Sequence, residues 1–352
     1  MILIIDSFFT GSHKYWGTQM KNLLPFEVEL LSLSGKYWKW RMEGGAIELA
    51  EKFKNLPKKP DLIIATDMVN LPLFYAYAGI TKNEIPCIIY FHENQFAYPE
   101  SEFDTDKKNN RDNHYGFINI TSALFANYVI FNSDFNRKSF YEGATKLFKK
   151  LPDNSLVKSF NNIKSKVIYS AIEKIPPRNK PKSNVPIILW NHRWEFDKNP
   201  NMFIEGLEYL QTKNIDFKLI ILGKGTEDQK AKKLILSKFP TETLHCGFTE
   251  TKEEYYDLIA QATHLPVTSK HDFFGLSVAE AMNQGVFAIL PNHQAYPEHL
   301  VKNESSGVIY NFPNDFLKAL ENSISTFSNS STRPDFFWDA VIKDWTKFIN
   351  SL

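Results

Sequence analysis

Short apolar runs of strand length recur along this chain at spacings that leave room for a helix between neighbours, and this rhythm constrains the fold more than any other feature. In the first half the runs are Ile2–Ile5, Val28–Leu33, Leu62–Ala65, Cys87–Phe91, Tyr128–Asn132 and Val167–Ser170. A strand covered on both faces is apolar without alternation, and parallel strands need long crossovers, so the pattern predicts βαβ units and a parallel sheet. The rhythm then breaks. Residues 172–186 carry Pro176, Pro177, Pro181 and Pro186 among charged side chains with no apolar period, and 176–186 read as a linker. It restarts with Ile187–Trp190, Phe217–Leu222, Leu244–Cys246, His264–Thr268, Val286–Leu290 and Gly307–Tyr310. The expected architecture is therefore α/β: two doubly wound Rossmann-like domains, 1–175 and 187–328, facing a cleft, with a C-terminal helix in 329–352. Ser323–Thr332 reads as a polar loop, and Phe336–Ile349 as the closing amphipathic helix.

Composition narrows the class. The chain has 352 residues, 43% of them hydrophobic, which is enough for two packed cores and excludes general disorder. Its 41 basic and 40 acidic residues nearly cancel, so any affinity for a polyanion must come from a local face. Cys87 and Cys246 sit in apolar strand-like sequence and make neither a disulfide framework nor a metal-ligand spacing, as expected of a reducing cytoplasm. The apolar start Met1–Ile5 has no basic leader and is interrupted by Asp6, so it is expected to be a first strand and not a signal or membrane span.

Polar clusters follow the expected strand ends, where open α/β sheets bind ligands. Thr10-Gly11-Ser12-His13-Lys14 follows the first strand; it is either a plain βα turn or one that approaches a phosphate. His92, Glu93, Asn94 and Gln95 follow Phe91 and form a polar run expected to project into the cleft. Asn191–Pro200 takes the same place in the second domain. Its Arg193 and Lys198 suit a diphosphate leaving group, whereas the structural alternative is an exposed loop with Glu195 and Asp197 as ion-pair partners. The stretch Ala262–Thr268 reads as a strand, and His271–Ala281 as a turn that opens into a helix over Gly275–Asn283. Free amides at such a helix start attract phosphate, and Gly275 and Leu276 lie where the backbone can approach a ligand. Asp272 and Glu280 flank this turn; they either hold a sugar and a ribose, or cap the helix and face solvent. Gly223-Lys224-Gly225 and Tyr296-Pro297-Glu298 add a turn and a polar tip at the same edge. Lys36-Tyr37-Trp38-Lys39-Trp40-Arg41 interleaves cations with aromatics, a composition that stacks on unpaired bases; Lys107-Lys108 with Arg111, and Lys146 with Lys149-Lys150, are further cationic clusters or solvated faces.

Taken in order, these residues resemble a known family. The two domains, the loop Arg193 to Lys198 and the acidic pair Asp272 and Glu280 are similar to retaining glycosyltransferases of the GT-B type, family 4. Gly11-Ser12-His13-Lys14, Lys39-Trp40-Arg41, Phe91–Gln95, Tyr115-Gly116, Phe131-Asn132-Ser133, His192–Lys198, Phe273-Phe274-Gly275 and Tyr296-Pro297-Glu298 resemble the tRNA-queuosine α-mannosyltransferases in particular. The resemblance implies transfer of mannose from GDP-mannose to the cyclopentenediol of queuosine at the wobble position of tRNA, with retention, no metal and no other cofactor. By motif it implies that Arg193 and Lys198 hold the diphosphate, Glu280 the ribose, Asp272 the sugar hydroxyls and His92 the sugar from the other domain. It assigns Gly11, Gly223, Gly275 and Leu276 to the donor, and Ser12, His13, Lys14, Lys39, Trp40, Arg41, Glu93, Asn94 and Gln95 to the acceptor. Asp272 is a departure, since the family usually has glutamate there; the shorter side chain implies a water-bridged contact to the sugar. A lipid or cell-envelope glycan acceptor, or a non-catalytic nucleotide-sugar or RNA-binding module, are the alternatives left open by the residues themselves. No amphipathic membrane helix stands out, so no membrane partner is expected.

Overall fold

The computed structural model describes residues 1–98, 113–152, 154–176, 178, 183–223, 229–301, 304–326 and 336–352. The chain divides into two compact units, Met1–Ala171 with Asp339–Leu352, and Ile172–Trp338. The first unit runs β1 (Ile2–Phe9), α1 (Gly11–Leu23), β2 (Val28–Ser34), α2 (Trp38–Lys54), β3 (Leu62–Thr66), α3 (Leu71–Ala78), β4 (Cys87–Phe91), α4 (His114–Phe125), β5 (Tyr128–Phe131), α5 (Asp134–Phe148), α6 (Asn154–Asn161) and β6 (Ser165–Val167). The strands form one parallel sheet in the order β2-β1-β3-β4-β5-β6. The winding reverses between β1 and β3, and such a reversal opens a crevice at the carboxyl ends of the strands.

The second unit runs β7 (Ile187–Trp190), α7 (Pro200–Thr212), β8 (Lys218–Ile221), α8 (Gln229–Lys238), β9 (Thr243–Cys246), α9 (Lys252–Gln261), β10 (His264–Pro266), α10 (Leu276–Asn283), β11 (Phe287–Pro291), β12 (Gly307–Tyr310) and α11 (Phe316–Ser325). Its sheet order is β12-β11-β10-β7-β8-β9, again parallel, so here the reversal lies between β7 and β10. The two-residue period of a strand explains why these runs are apolar throughout. Ile188 and Trp190 enter one layer with Phe203, Leu207, Ile235 and Phe316, while Ile187 and Leu189 enter the opposite layer with Ile259, Val278 and Met282.

The same alternation places the last helix. In β4, Ile89 and Phe91 join the layer of α2 to α6, so Tyr90 points to the opposite face. There it stacks on Trp16 of α1 at 4.6 Å and meets Trp345 of α12 (Trp338–Ile349) at 5.5 Å. The C-terminal segment thus completes the second helical layer of the first unit. β6 begins two residues earlier than its apolar run because it is set by its register with β5, Val129 to Ser165 and Phe131 to Val167. No helix of the described residues is long and apolar enough to cross a membrane.

Candidate functional site

In the second unit the chain leaves β7 at Asn191 and leaves β10 at Val267, and the reversal makes these two loops neighbours. Lys198 joins them. Its Nζ lies 3.0 Å from Asp197 Oδ2 and 3.3 Å from Asp272 Oδ2, and donates to the His271 carbonyl at 2.8 Å. The Thr268 hydroxyl donates to the Lys198 carbonyl at 3.0 Å, and the Lys270 amide to the Asp197 carbonyl at 2.7 Å. The Lys198 side chain is only 9% exposed. Burial alone would drive off its proton, but Asp272 and Asp197 outweigh burial and raise its pKa. Burial likewise opposes the charge on Asp272, and Lys198, together with His192 and His271, more than reverses this, holding its pKa at about 2. Both groups are charged at neutral pH.

Asp272 does not cap α10. Its Oδ1 accepts from the Phe274 amide at 3.4 Å, before the helix starts, and no side chain caps the helix. The N-cap is Gly275 at φ 86°, left-handed backbone that favours glycine, with Tyr296 and His299 close against it. The amides of Leu276 and Ser277 therefore open the helix without an intrahelical partner, an arrangement that suits an anion. Glu280, one and a half turns along, is half-buried and not a solvated face. It accepts from the Tyr255 hydroxyl at 3.0 Å and the Tyr256 hydroxyl at 3.4 Å. Burial pushes its pKa up to about 7 despite these bonds.

Arg193 differs from Lys198. Its side chain is 66% exposed and pairs with Glu195 at 3.0 Å, so both ion pairs of the structural alternative exist, but only the one at Lys198 is buried. Gly223 follows β8 and abuts this loop: a Cβ there would stand 2.1 Å from the His192 carbonyl, at φ 139°. Lys224 and Gly225 lie outside the described residues. Tyr296 is not a polar tip; it is fully buried and its hydroxyl donates to Asp272 Oδ2 at 3.4 Å. Sequence reasoning missed Tyr255, Tyr256 and His299, and located Asn191 without giving it a role. Asn191 donates to the Ser277 carbonyl at 2.7 Å, and His299 Nε2 lies 2.6 Å from the Phe274 carbonyl. The only signal for the tyrosines was their helical place in α9.

In the first unit, Asp6 lies within β1, and Asp67 and His92 directly follow β3 and β4 near the reversal, with His13 beside them on α1. His13 is buried and bound to Asp6, Nδ1 to Oδ2 at 2.9 Å, and so does not project toward an acceptor as expected. Gly11, Ser12 and Lys14 are exposed at the start of α1. Asn94 corrects a second expectation. It is fully buried, donates to Asn136 and Ser139, and accepts from the Phe96 and Ala97 amides, so its bonding capacity is spent on the turn. Gln95 is half-buried and donates to Glu93 at 3.0 Å. Asn132 holds the His92 carbonyl at 2.8 Å. Trp40 is 60% exposed at the start of α2, Lys39 lies 5.5 Å from the Trp38 ring, and Arg41 donates to Ser34. Lys146, Lys149 and Lys150 form a solvated face, and Lys107, Lys108 and Arg111 lie outside the described residues.

His13, Asp67 and His92 offer ligand atoms within 4.8 Å of one another, the one such group among the described residues. Their rings do not suit a shared ion. The two imidazoles are stacked at 4.0 Å with planes inclined by 27°. Planes so inclined meet roughly 8 Å from the rings, whereas a bound metal lies in each ring plane about 2 Å from nitrogen.

Comparison with known proteins shows the family. Residues 1–172 match the family model described as tRNA-queuosine alpha-mannosyltransferase N-terminal, and 171–335 match glycosyl transferases group 1. The chain is 31% identical over 340 residues to the tRNA-queuosine alpha-mannosyltransferase of Drosophila melanogaster, covering 91% of this chain and 86% of that one. The chain belongs to the tRNA-queuosine alpha-mannosyltransferase family. It is a glycosyltransferase. A shorter match, 27% identical over 146 residues and covering 40% of this chain and 37% of the relative, is to a GDP-mannose:cellobiosyl-diphosphopolyprenol alpha-mannosyltransferase of Xanthomonas campestris. Among solved structures, sucrose-phosphate synthase from Thermosynechococcus elongatus superposes with a TM-score of 0.73 at 12% identity, over 100% of this chain and 98% of that one. This likeness supports the GT-B fold expected from the sequence, two parallel-sheet α/β domains.

Proposed function

We propose that this protein transfers mannose from GDP-mannose to the cyclopentenediol of queuosine in tRNA, with retention of the anomeric configuration. Membership of the family is the observation that carries the reading, because the name of the fruit-fly relative specifies both the sugar and the modified base. The Xanthomonas relative's name, which includes GDP-mannose, supports the donor. The geometry supplies suitable chemistry. The bond from the sugar anomeric carbon to the diphosphate breaks, giving oxocarbenium character, and negative charge grows on the leaving oxygen. Lys198, Arg193 and the open amides at the start of α10 are suited to stabilising that charge without a metal. Front-face attack follows: the queuosine hydroxyl forms the new bond on the side the diphosphate leaves, and its proton passes to the departing phosphate. Asp272, held ionised by Lys198, orients sugar hydroxyls, and Glu280 the ribose. The aromatic and cationic residues at the start of α2 are suited to unpaired bases of an anticodon loop. With both thiols free, the cytoplasm is the proposed compartment.

Incubation of queuosine-containing tRNA with GDP-mannose and the protein is expected to add one hexose to the modified nucleoside, read by mass spectrometry. No added hexose with any sugar nucleotide refutes the proposal. Thermal shift separates the donor, since a ligand of the folded state raises apparent stability. GDP-mannose should do so, and selective stabilisation by UDP-sugars would replace it.

A further inference from the structure

The carboxyl edge of the first sheet buries four ionisable side chains together: Asp6, His13, Asp67 and His92 are 1%, 5%, 0% and 6% exposed. Asp6 is bonded at both oxygens, accepting from the Phe8 amide at 2.7 Å and facing His13 Nδ1 at 2.9 Å. The His13 ring then lies on the His92 ring at 4.0 Å. Trp16 and Tyr90 meet His92 nearly at right angles, at 5.1 and 4.8 Å. The His92 backbone is fixed, its amide donating to Asp67 Oδ1 at 2.8 Å. Among the described residues both ring nitrogens are buried without a hydrogen-bond partner, and Nδ1 stands 3.5 Å from Asp67 Oδ1 without bonding geometry. An imidazole this well oriented and left unbonded is matched to a ligand that brings its own donor and acceptor, as a sugar hydroxyl does.

We propose that Asp6 is a positioning residue: it holds His13 as an imidazolium against the face of His92, which keeps His92 neutral and free to hydrogen-bond a substrate hydroxyl. The catalytic part of this rests on the function proposed above. The charges around His13 agree with it. Burial disfavours a cation there, but Asp6, with Asp67 and Glu93 beyond it, raises the His13 pKa to about 9. Burial first, and then the His13 cation beside it, lower that of His92 well below the ordinary value, against the weaker pull of Asp6. A second cation stacked on the first is excluded, so the pair shares one charge and Asp6 decides which ring carries it. A neutral His92 can donate from one nitrogen and accept at the other; an imidazolium can only donate.

The test is a histidine-selective nitrogen NMR titration of the full chain, which needs no substrate, followed by kinetics. In the wild type His13 is expected to be protonated at pH 7.5 and His92 neutral. In D6N, which keeps a hydrogen-bond acceptor but removes the charge, His13 becomes neutral at that pH. With GDP-mannose and queuosine tRNA, the acid limb of the kcat profile is expected to move to higher pH in D6N, because His92 without a cation on its face takes up a proton more readily. D6E, which keeps the charge, retains the wild-type acid limb. H13Q, which removes the cation and leaves Asp6 in place, reproduces D6N and substitutes for it should D6N not fold. A neutral His13 in the wild type at pH 7.5 overturns the proposal. So does a D6N protein in which His13 is neutral but the His92 titration and the acid limb of kcat are those of the wild type. A wild type that transfers no hexose refutes the functional reading and the catalytic role with it, and the NMR titration then decides the charge assignment alone.

Discussion

Glu280→Gln is expected to stabilise the protein at high pH while weakening its donor. The carboxyl is half-buried in the second unit and bonded, among the described residues, by the Tyr255 and Tyr256 hydroxyls, with its pKa pushed up by burial from 4.5 to about 7. An acid whose folded pKa is raised holds its proton more tightly in the folded state. Its contribution is therefore complete below pH 4.5 and is lost as pH rises through about 7. At 1.36 kcal/mol per pH unit the full interval is worth at most about 3.4 kcal/mol, and solvent screening of a partly exposed group reduces this to about 2 kcal/mol. Glutamine has the same shape, bonds both tyrosines and does not titrate. At pH 8 the variant should melt about 4–8 °C above the wild type, and at pH 4.5 the two should agree to within about 1 °C. Calorimetry at the two pH values checks this. An offset equal at both, or a wild type more stable at pH 8, refutes the argument that burial and not pairing governs this carboxylate. If Glu280 holds the ribose, the same substitution raises the donor KM about 10- to 100-fold, the loss of one charge-assisted hydrogen bond.

Lys198→Met leaves Asp272 and Asp197 facing each other without their cation and should cost about 3–5 kcal/mol in denaturant unfolding, along with nearly all transfer. Arg193→Ala tests the opposite case. Its ion pair with Glu195 is exposed, so stability should change by no more than about 0.5 kcal/mol while kcat falls about 100-fold; unchanged transfer would make this arm of the loop structural. Gly223→Ala forces a Cβ onto the His192 carbonyl and should lower stability by about 1–3 kcal/mol and weaken GDP binding, read by melting and by calorimetric titration.

Much of the site was legible in one dimension. Strand ends were recognisable from where apolar runs stop, so the loops at Asn191, His271 and His92 were located before any fold was known. The residues that the sequence misjudged are those whose role depends on distant neighbours. Asn94 stands in a polar run that looks exposed, yet Asn136 and Ser139, more than forty residues on, consume its bonding groups. His13 looks like part of a flexible GSHK turn, but it faces inward on α1 because Asp6 lies beneath it. Tyr255 and Tyr256 gave no polar signal at all, being ordinary core residues of a helix until Glu280 is brought against them.

The sequence by itself determined the alternation of strands and helices, the break between two α/β units, and which cations and carboxylates lie at strand ends, since each follows from local period and composition. Only the tertiary structure decided their charge. Lys198 and Asp272 stay ionised, Glu280 is pushed toward its neutral form, and one of two stacked histidines carries a proton. Those outcomes depend on burial and on partners distant in the sequence, 74 positions for Lys198 and Asp272, which chain reversal in a doubly wound sheet brings together and which no local pattern records.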